Sequence, residues 1–280
     1  MRMKTPVKFP LLLAVLAALA PATVDAQTGP KGGKGKMGLK GSAGDAPQVK
    51  GKSSEGASGR ANIQSSGIVP QFDPSVRCPS IASPFASPTR YDGSKRPFGR
   101  YGGLHGGFDI SLAEGTPLLA IAGGRVAHKG EGGQAEGIFL WLQHSPDDTG
   151  LPFWVYSKYQ HFREMPALAV GASVKPGQRV GISGRSGTVG GHYGANGYPH
   201  LHLTTIASPS ERYEARGSLV STRSPRFFDP VAIYQAGWRD INEIAGPGKR
   251  GTVQVAHATP DGSLSPSTAR LVWPVVCRPR

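Results

Sequence analysis

Between residues 115 and 206 apolar and polar positions alternate over short runs. "GTPLLAIAGGRVAHKG" (115–130), "GIFLWLQHS" (137–145), "PFWVYSKYQHF" (152–162), "GASVKPGQRVGIS" (171–183) and "HLHLTTI" (200–206) are rich in β-branched and aromatic residues. Clusters of Gly, Pro, Asn and Asp separate them at short spacing, which predicts strands joined by turns rather than helices. No run keeps a helical period beyond a few turns. The best helix candidate is "DPVAIYQAGW" (229–238), with Asp229 as N-cap and Pro230 at the first helical position. The last run, "ARLVWPVVCRPR" (269–280), reads as a final strand returning toward the start of the domain. The expected fold is mostly β, an antiparallel sandwich or open barrel with long loops and few short helices, and 40 glycines and 25 prolines in 280 residues suit so many turns.

The first 76 residues have a different texture. Arg2, Lys4 and Lys8 precede the apolar run Leu11–Ala20, and Val24-Asp25-Ala26 supplies small residues at a cleavage site. Residues 1–26 therefore read as a secretory signal, and no later run is long enough for a transmembrane helix. Residues 27–76 are dominated by Gly, Ser, Lys and Ala, too apolar-poor to offset ordering entropy, and are expected to be disordered. Their "KGGKGK" lysines are either a tether to anionic envelope polymers or part of a plain linker. A net charge of +14 favours polyanionic surroundings, with no specific nucleic-acid partner implied. Cys78 and Cys277 are an even pair near the two ends of residues 77–280, and in an oxidising compartment they suggest one disulfide clamping those ends.

Candidate chemistry changes the picture at "HLH" (200–202). On a strand, His200 and His202 share a face while Leu201 and Leu203 take the other. H-x-H alone is unspecific and needs partners. "HGGFD" (105–109) offers His105 and Asp109 at matching parity, with Gly106 and Gly107 allowing close approach to a ligand. His161 ends the run "VYSKYQH" and shares parity with Val155, Ser157 and Tyr159. Two imidazoles and a carboxylate are a common zinc set.

In that order, "HGGFD", "YQHF" (159–162) and "HLH" resemble the lysostaphin-type (LytM-type) zinc metalloendopeptidases of peptidoglycan. "GTPLLAIAGGRVAHKG", "VKPGQRVGISGRSGT" and "RPFGRY" (96–101) are similar to connecting segments of that family, so the resemblance spans residues 80–235. It implies a LytM-type domain at 77–245 with a packed C-terminal extension at 246–280. It implies a bound Zn2+ held by His105, Asp109 and His202, with His161 and His200 as the catalytic pair. No HExxH motif supplies a glutamate base, so proton transfer would fall to imidazoles. The implied activity is hydrolysis of peptide bonds in cell-wall peptidoglycan by a secreted or periplasmic enzyme. A non-catalytic activator of a cell-wall amidase and an envelope-binding module are the alternatives.

Three departures stand out. Thr204 occupies a position that the family usually fills with an acidic residue, which leaves the support of His202 open. The loop 184–199 and the insertion 144–153 are long, and both are expected to bear on substrate choice. Tyr101, Tyr193 and Tyr198 are candidate hydrogen-bond donors to substrate, whereas His128, His144, His192 and His257 have no motif and read as surface residues. A segment residue such as Asn62 could also lie across the site before processing.

Overall fold

The period-two alternation at 200–206 becomes the central strand of the protein, His200–Ser208. The computed structural model describes residues 63–98, 101–189, 194–248 and 250–280. The expected signal at 1–26, the lysine-rich stretch up to residue 62, Asn62, His192 and Tyr193 lie outside the described residues. The main sheet is antiparallel and runs Ile81–Ser83, Phe108–Ser111, His200–Ser208, Trp154–Gln160, Ile138–His144, Gly124–Glu131, Ser173–Val174. Arg226–Phe228 pairs with the far half of the central strand. The fold is mostly β with few short helices, as the alternation predicts.

The two faces of this sheet are filled differently. On one face Leu201, Leu203, Phe108, Ile110, Val155 and Tyr159 enter the main core. They pack against a second layer that includes Leu118 and Val180 from the pair Pro117–Leu119 and Arg179–Ile182. The other face carries His200, His202 and Thr204 toward one end. Farther along, Phe139, Trp141, Tyr156 and Ile206 form a smaller apolar cluster with Val220 of the hairpin Tyr213–Arg216/Leu219–Thr222. Trp141 Nε1 donates to the Ser218 carbonyl at 3.1 Å and Ser208 Oγ meets Thr222 Oγ1 at 2.8 Å, which fastens the hairpin down.

The helix expected at 229–238 is shorter and tighter: a 3-10 turn, Pro230–Tyr234, capped by Asp229, whose side chain accepts from Val231 N. The same carboxylate accepts from Ser66 N and Oγ. Residues 63–76 are therefore ordered, contrary to the expectation of disorder for that part of 27–76. Ile63 and Ile68 are buried, and Ile68–Gln71 pairs in parallel with Gly251–Gln254. Two well-placed isoleucines and a backbone ladder do what composition averaged over fifty residues could not reveal.

The C-terminal run is mostly irregular, with a short strand only at Arg278–Pro279, paired with Val76–Arg77. Trp273 is fully buried, stacks on Phe108 at 5.6 Å and donates its indole N–H to the Pro79 carbonyl. Cys78 and Cys277 are joined by a disulfide. The bridge closes a span of 199 residues, so replacing both cysteines by serine should lower stability by about 2–5 kcal/mol in a urea titration.

His144 and His257 are buried, not surface residues. His144 Nδ1 donates to the Gly123 carbonyl at 2.5 Å and Nε2 accepts from Ser157 Oγ at 2.8 Å. Both nitrogens are satisfied in the neutral form, and burial pushes the pKa down to about 4. The unfolded chain, with an ordinary histidine pKa near 6.5, binds the extra proton first as pH falls. The contribution is thus complete above about pH 6.5 and is lost toward pH 4, by about 3 kcal/mol in total. Thermal melts across that window should show a shallower fall for His144→Gln than for the parent.

Candidate metal and catalytic site

Register builds the site. In the central strand His202 sits directly opposite Asp109 on one side and Gln160 on the other, so side chains from three strands share one face. His105 reaches the same point from the turn before Phe108–Ser111. His105 Nε2 lies 3.2 Å from Asp109 Oδ1 and 3.1 Å from His202 Nδ1, and His202 Nδ1 lies 2.8 Å from Asp109 Oδ1. Gly107 makes this approach possible, because a Cβ there would stand 2.8 Å from His202 Nε2 and strike the Leu203 carbonyl.

The outer contacts decide which atoms face inward. His105 Nδ1 donates to the Pro84 carbonyl at 3.1 Å, which leaves Nε2 as a lone pair. His202 Nε2 is held by the Thr204 hydroxyl at 3.0 Å, which leaves Nδ1 inward. Thr204 therefore takes the supporting place that its departure from the family pattern had left open. Arg96 stands behind the carboxylate, 3.8 Å from Asp109 Oδ2, and donates to Ser83 Oγ at 2.8 Å. Burial pushes the Asp109 carboxyl up, and only when the inward nitrogens of His105 and His202 carry protons do their charge and hydrogen bonds outweigh it and hold the carboxyl well below the usual range. Burial lowers His202 to about 4, against the pull of Asp109.

Three electron-pair donors thus converge within 3.2 Å in a buried place. Tetrahedral ligands at about 2.0–2.1 Å from zinc stand roughly 3.3–3.4 Å apart, so the spacing and the N,N,O donor set fit such an ion.

His161 and His200 stand beside these donors. Their ring centroids are 4.4 Å apart, and His200 Nε2 is 3.8 Å from Asp109 Oδ1. His161 Nδ1 donates to the Ser186 carbonyl and His200 Nδ1 to the Tyr198 carbonyl, each at 2.8 Å. Both Nε2 atoms are consequently lone pairs. Burial pushes both pKa values down to about 4, helped at His161 by His202 and at His200 by His161, so both rings are neutral at pH 7.

His161 reaches the site against its parity. Val155, Ser157 and Tyr159 face away from His202, and an unbroken strand would bury His161 with them. The strand ends at Gln160, and His161 adopts φ +66°, which swings its ring to the site face. Its carbonyl accepts from Gly184 N at 2.8 Å. Such a backbone costs a side-chain-bearing residue about 1–2 kcal/mol, so the surroundings must hold it. They do so through the turn that carries Ser186, whose Oγ accepts from Ile138 N at 2.8 Å. Glu136 ties the adjacent turn to the strand by pairing with buried Lys158 and accepting from Gln160 Nε2.

Sequence reasoning missed these supports. Backbone carbonyls have no residue signature, and a Lys–Glu pair 22 residues apart matches no short motif. Tyr198 stacks on His200 at 4.9 Å and on Tyr91 at 4.4 Å, and its hydroxyl contacts Ser111 Oγ. Tyr101 packs edge-on against Phe227 and fills the space beside Gly106. The long loop before His200 adjoins the site through Arg185, which pairs with Glu114, and Thr188, which accepts from Tyr198 N. The insertion 144–153 does not. It joins the far ends of Ile138–His144 and Trp154–Gln160, about 20 Å along the strand from His161.

Comparison with known proteins agrees with the motifs. Residues 103–211 match the profile of Peptidase family M23, which bears out the family resemblance. An "Uncharacterized metalloprotease" of Haemophilus influenzae is 30% identical over 131 residues, 46% of this chain and 23% of that protein's length. A zinc containing peptidase from Vibrio cholerae is 22% identical, with TM-score 0.38, over 60% of this chain and 39% of that one. The catalytic domain of lysostaphin, an antimicrobial peptidase from Staphylococcus simulans, is 26% identical, with TM-score 0.33, over 51% of this chain and 84% of that one. The chain thus spans well under two thirds of the first two relatives.

Gly107→Ala should displace the His202 ring and weaken the binding of a divalent metal by about 10–100-fold in a chelator-competition titration, with the circular dichroism spectrum retained.

Proposed function

We propose that the chain, through its Peptidase family M23 segment, is a zinc-dependent endopeptidase that hydrolyses peptide bonds of bacterial cell-wall peptidoglycan. The observation that carries this reading is the convergence of His105 Nε2, Asp109 Oδ1 and His202 Nδ1 beside two neutral imidazoles. His105, Asp109 and His202 would hold the ion. Bound there, zinc supplies Lewis acidity, activating water and polarising the scissile carbonyl.

The protein's own groups then manage protons. With Nδ1 of His161 and His200 committed to carbonyls, each ring presents Nε2 toward the reacting centre. One Nε2 takes a proton from the attacking water as oxygen adds to the carbonyl carbon. That proton passes to the departing amide nitrogen as the carbon–nitrogen bond breaks. The second ring orients the water and the substrate carbonyl. Tyr198, stacked on His200, limits how that ring can turn.

Among the described residues no helix is long and apolar enough to cross a membrane, and the disulfide suits an oxidising compartment. An export signal at 1–26 and a lysine-rich tether to anionic polymers complete the proposal. An amidase activator or a mere binding module has no need of five such residues in one place, so neither is favoured.

Digestion of purified peptidoglycan by the mature protein, with mass-spectrometric product analysis, tests the reading. New amino termini from peptide-bond cleavage are expected. His200→Ala and His161→Ala should each lower kcat by about 10²–10⁴-fold while zinc stays bound, and His202→Ala should lose the metal. Undiminished wall lysis by His200→Ala and His202→Ala would sink the assignment.

A further inference from the structure

The region around the disulfide carries a feature that the proposed chemistry does not use. Arg77 directly precedes Cys78 and Arg278 directly follows Cys277, so each bridged cysteine has an arginine beside it. Val76–Arg77 and Arg278–Pro279 form an antiparallel pair in which Arg77 and Arg278 are register partners. Like charges directly opposite one another are destabilising, and cross-strand positions of this kind ordinarily hold opposite or neutral residues. Among the described residues, neither guanidinium forms an ion pair with a carboxylate.

Both arginines line a cleft of about 550 Å³, together with Ala82, Val276 and Ser111. None of its lining residues is acidic. A larger cavity of about 900 Å³ beside the Tyr213–Arg216 hairpin makes the contrast clear, for its Arg212 and Arg223 share it with Glu211 and Glu214. One cavity balances its own charge. The other is purely cationic.

Ser111 connects the cationic cleft to the histidines. It lies two residues beyond Asp109 on the same strand and face, about 7 Å along, and is the register partner of His200. Its Oγ touches the hydroxyl of Tyr198, the ring stacked on His200. A chain positioned at His200 and running past Ser111 would therefore enter a space in which the charged groups, among the described lining residues, are two guanidinium groups.

We infer that the Arg77–Arg278 cleft is a substrate subsite that binds a carboxylate carried by the peptide a short distance from the scissile bond. Two planar, permanently charged forks facing one space suit a carboxylate, which can accept from both. The disulfide and the paired strands fix the separation of their backbones, so the two arginines are held on one side before substrate arrives. Substrate choice would thus be read partly by the C-terminal segment, outside residues 103–211. This inference rests on the reading of the chain as a hydrolase of cell-wall peptides.

The test is a binding cycle that does not depend on turnover. Purified peptidoglycan, stripped of phosphate-containing polymers, is used native or with its carboxyl groups converted to amides. Co-sedimentation is measured on ice for the intact protein, for Arg77→Gln/Arg278→Gln, and for Arg212→Gln/Arg223→Gln as a control of equal charge. Amidation should weaken binding of the parent about tenfold, and the Arg77/Arg278 double substitution should do the same on native wall. Amidation should then have no further effect on that variant, and the control should behave as the parent does. The double variant should melt no lower than the parent, because it relieves a like-charge pair.

Native wall bound equally by variant and parent would overturn the inference. So would a parent indifferent to amidation, or a variant still fully sensitive to it, which would place carboxylate recognition elsewhere on this basic chain. If the parent binds as expected but never cleaves peptidoglycan, the proposed function falls, and the binding cycle still decides the subsite.

Discussion

Three electron-pair donors, one of them a carboxylate and two of them buried, sit within 3.2 Å of one another, an approach that needs a proton or a cation between them. Much of the fold serves to hold them there. The register that sets His202 opposite Asp109 is one requirement, since a one-residue slip of the central strand would turn His202 into the core, away from Asp109. The absence of a side chain at Gly107 is another. Outer contacts complete the arrangement: the Pro84 carbonyl on His105, the Thr204 hydroxyl on His202, and Arg96 behind Asp109. A hydroxyl in place of a carboxylate at residue 204 leaves His202 oriented while adding no further negative charge to a place that already buries one.

The division of the central strand explains how one element serves both stability and chemistry. Leu201 and Leu203 enter the core with Phe108 and Ile110, and Trp273 braces that core from the C-terminal segment. The opposite side of the same residues is polar at the histidines and apolar again at Ile206, where the hairpin covers it. The open stretch is therefore only about three residues long. One end meets the hairpin, and at the other the Tyr198 ring lies on His200 with its hydroxyl at Ser111.

Much of this was legible in the sequence wherever residue type and periodicity coincide. H-x-H among leucines specifies a strand with an inside and an outside, and the ordered motifs specify which outside. His161 shows where periodicity fails. Its parity places it in the core with Tyr159, and only the motif "YQHF" points to the site; the backbone reversal at φ +66° reconciles the two. That reversal depends on contacts with residues 136–138 and 184–186, which are distant in the chain and partly backbone, so no local pattern announces them. The boundary near residue 63 was obscured for a different reason. Sparse isoleucines in a Gly/Ser-rich stretch look dispensable until Gly251–Gln254 arrives to pair with Ile68–Gln71.

That last pairing bears on the order in which the molecule can be assembled. The parallel ladder between residues 68–71 and 251–254, and the cross-link between Cys78 and Cys277, join segments separated by nearly the whole domain. Contacts of such long sequence separation form late, because the intervening loop must close before they return any energy. Residues 68–71 and 76–78, in the segment that leads to His105, therefore lack these partners until residues beyond 250 are in place. A nascent or truncated polypeptide without those residues lacks the clamp on residues 68–78, which lead into the wall that carries His105.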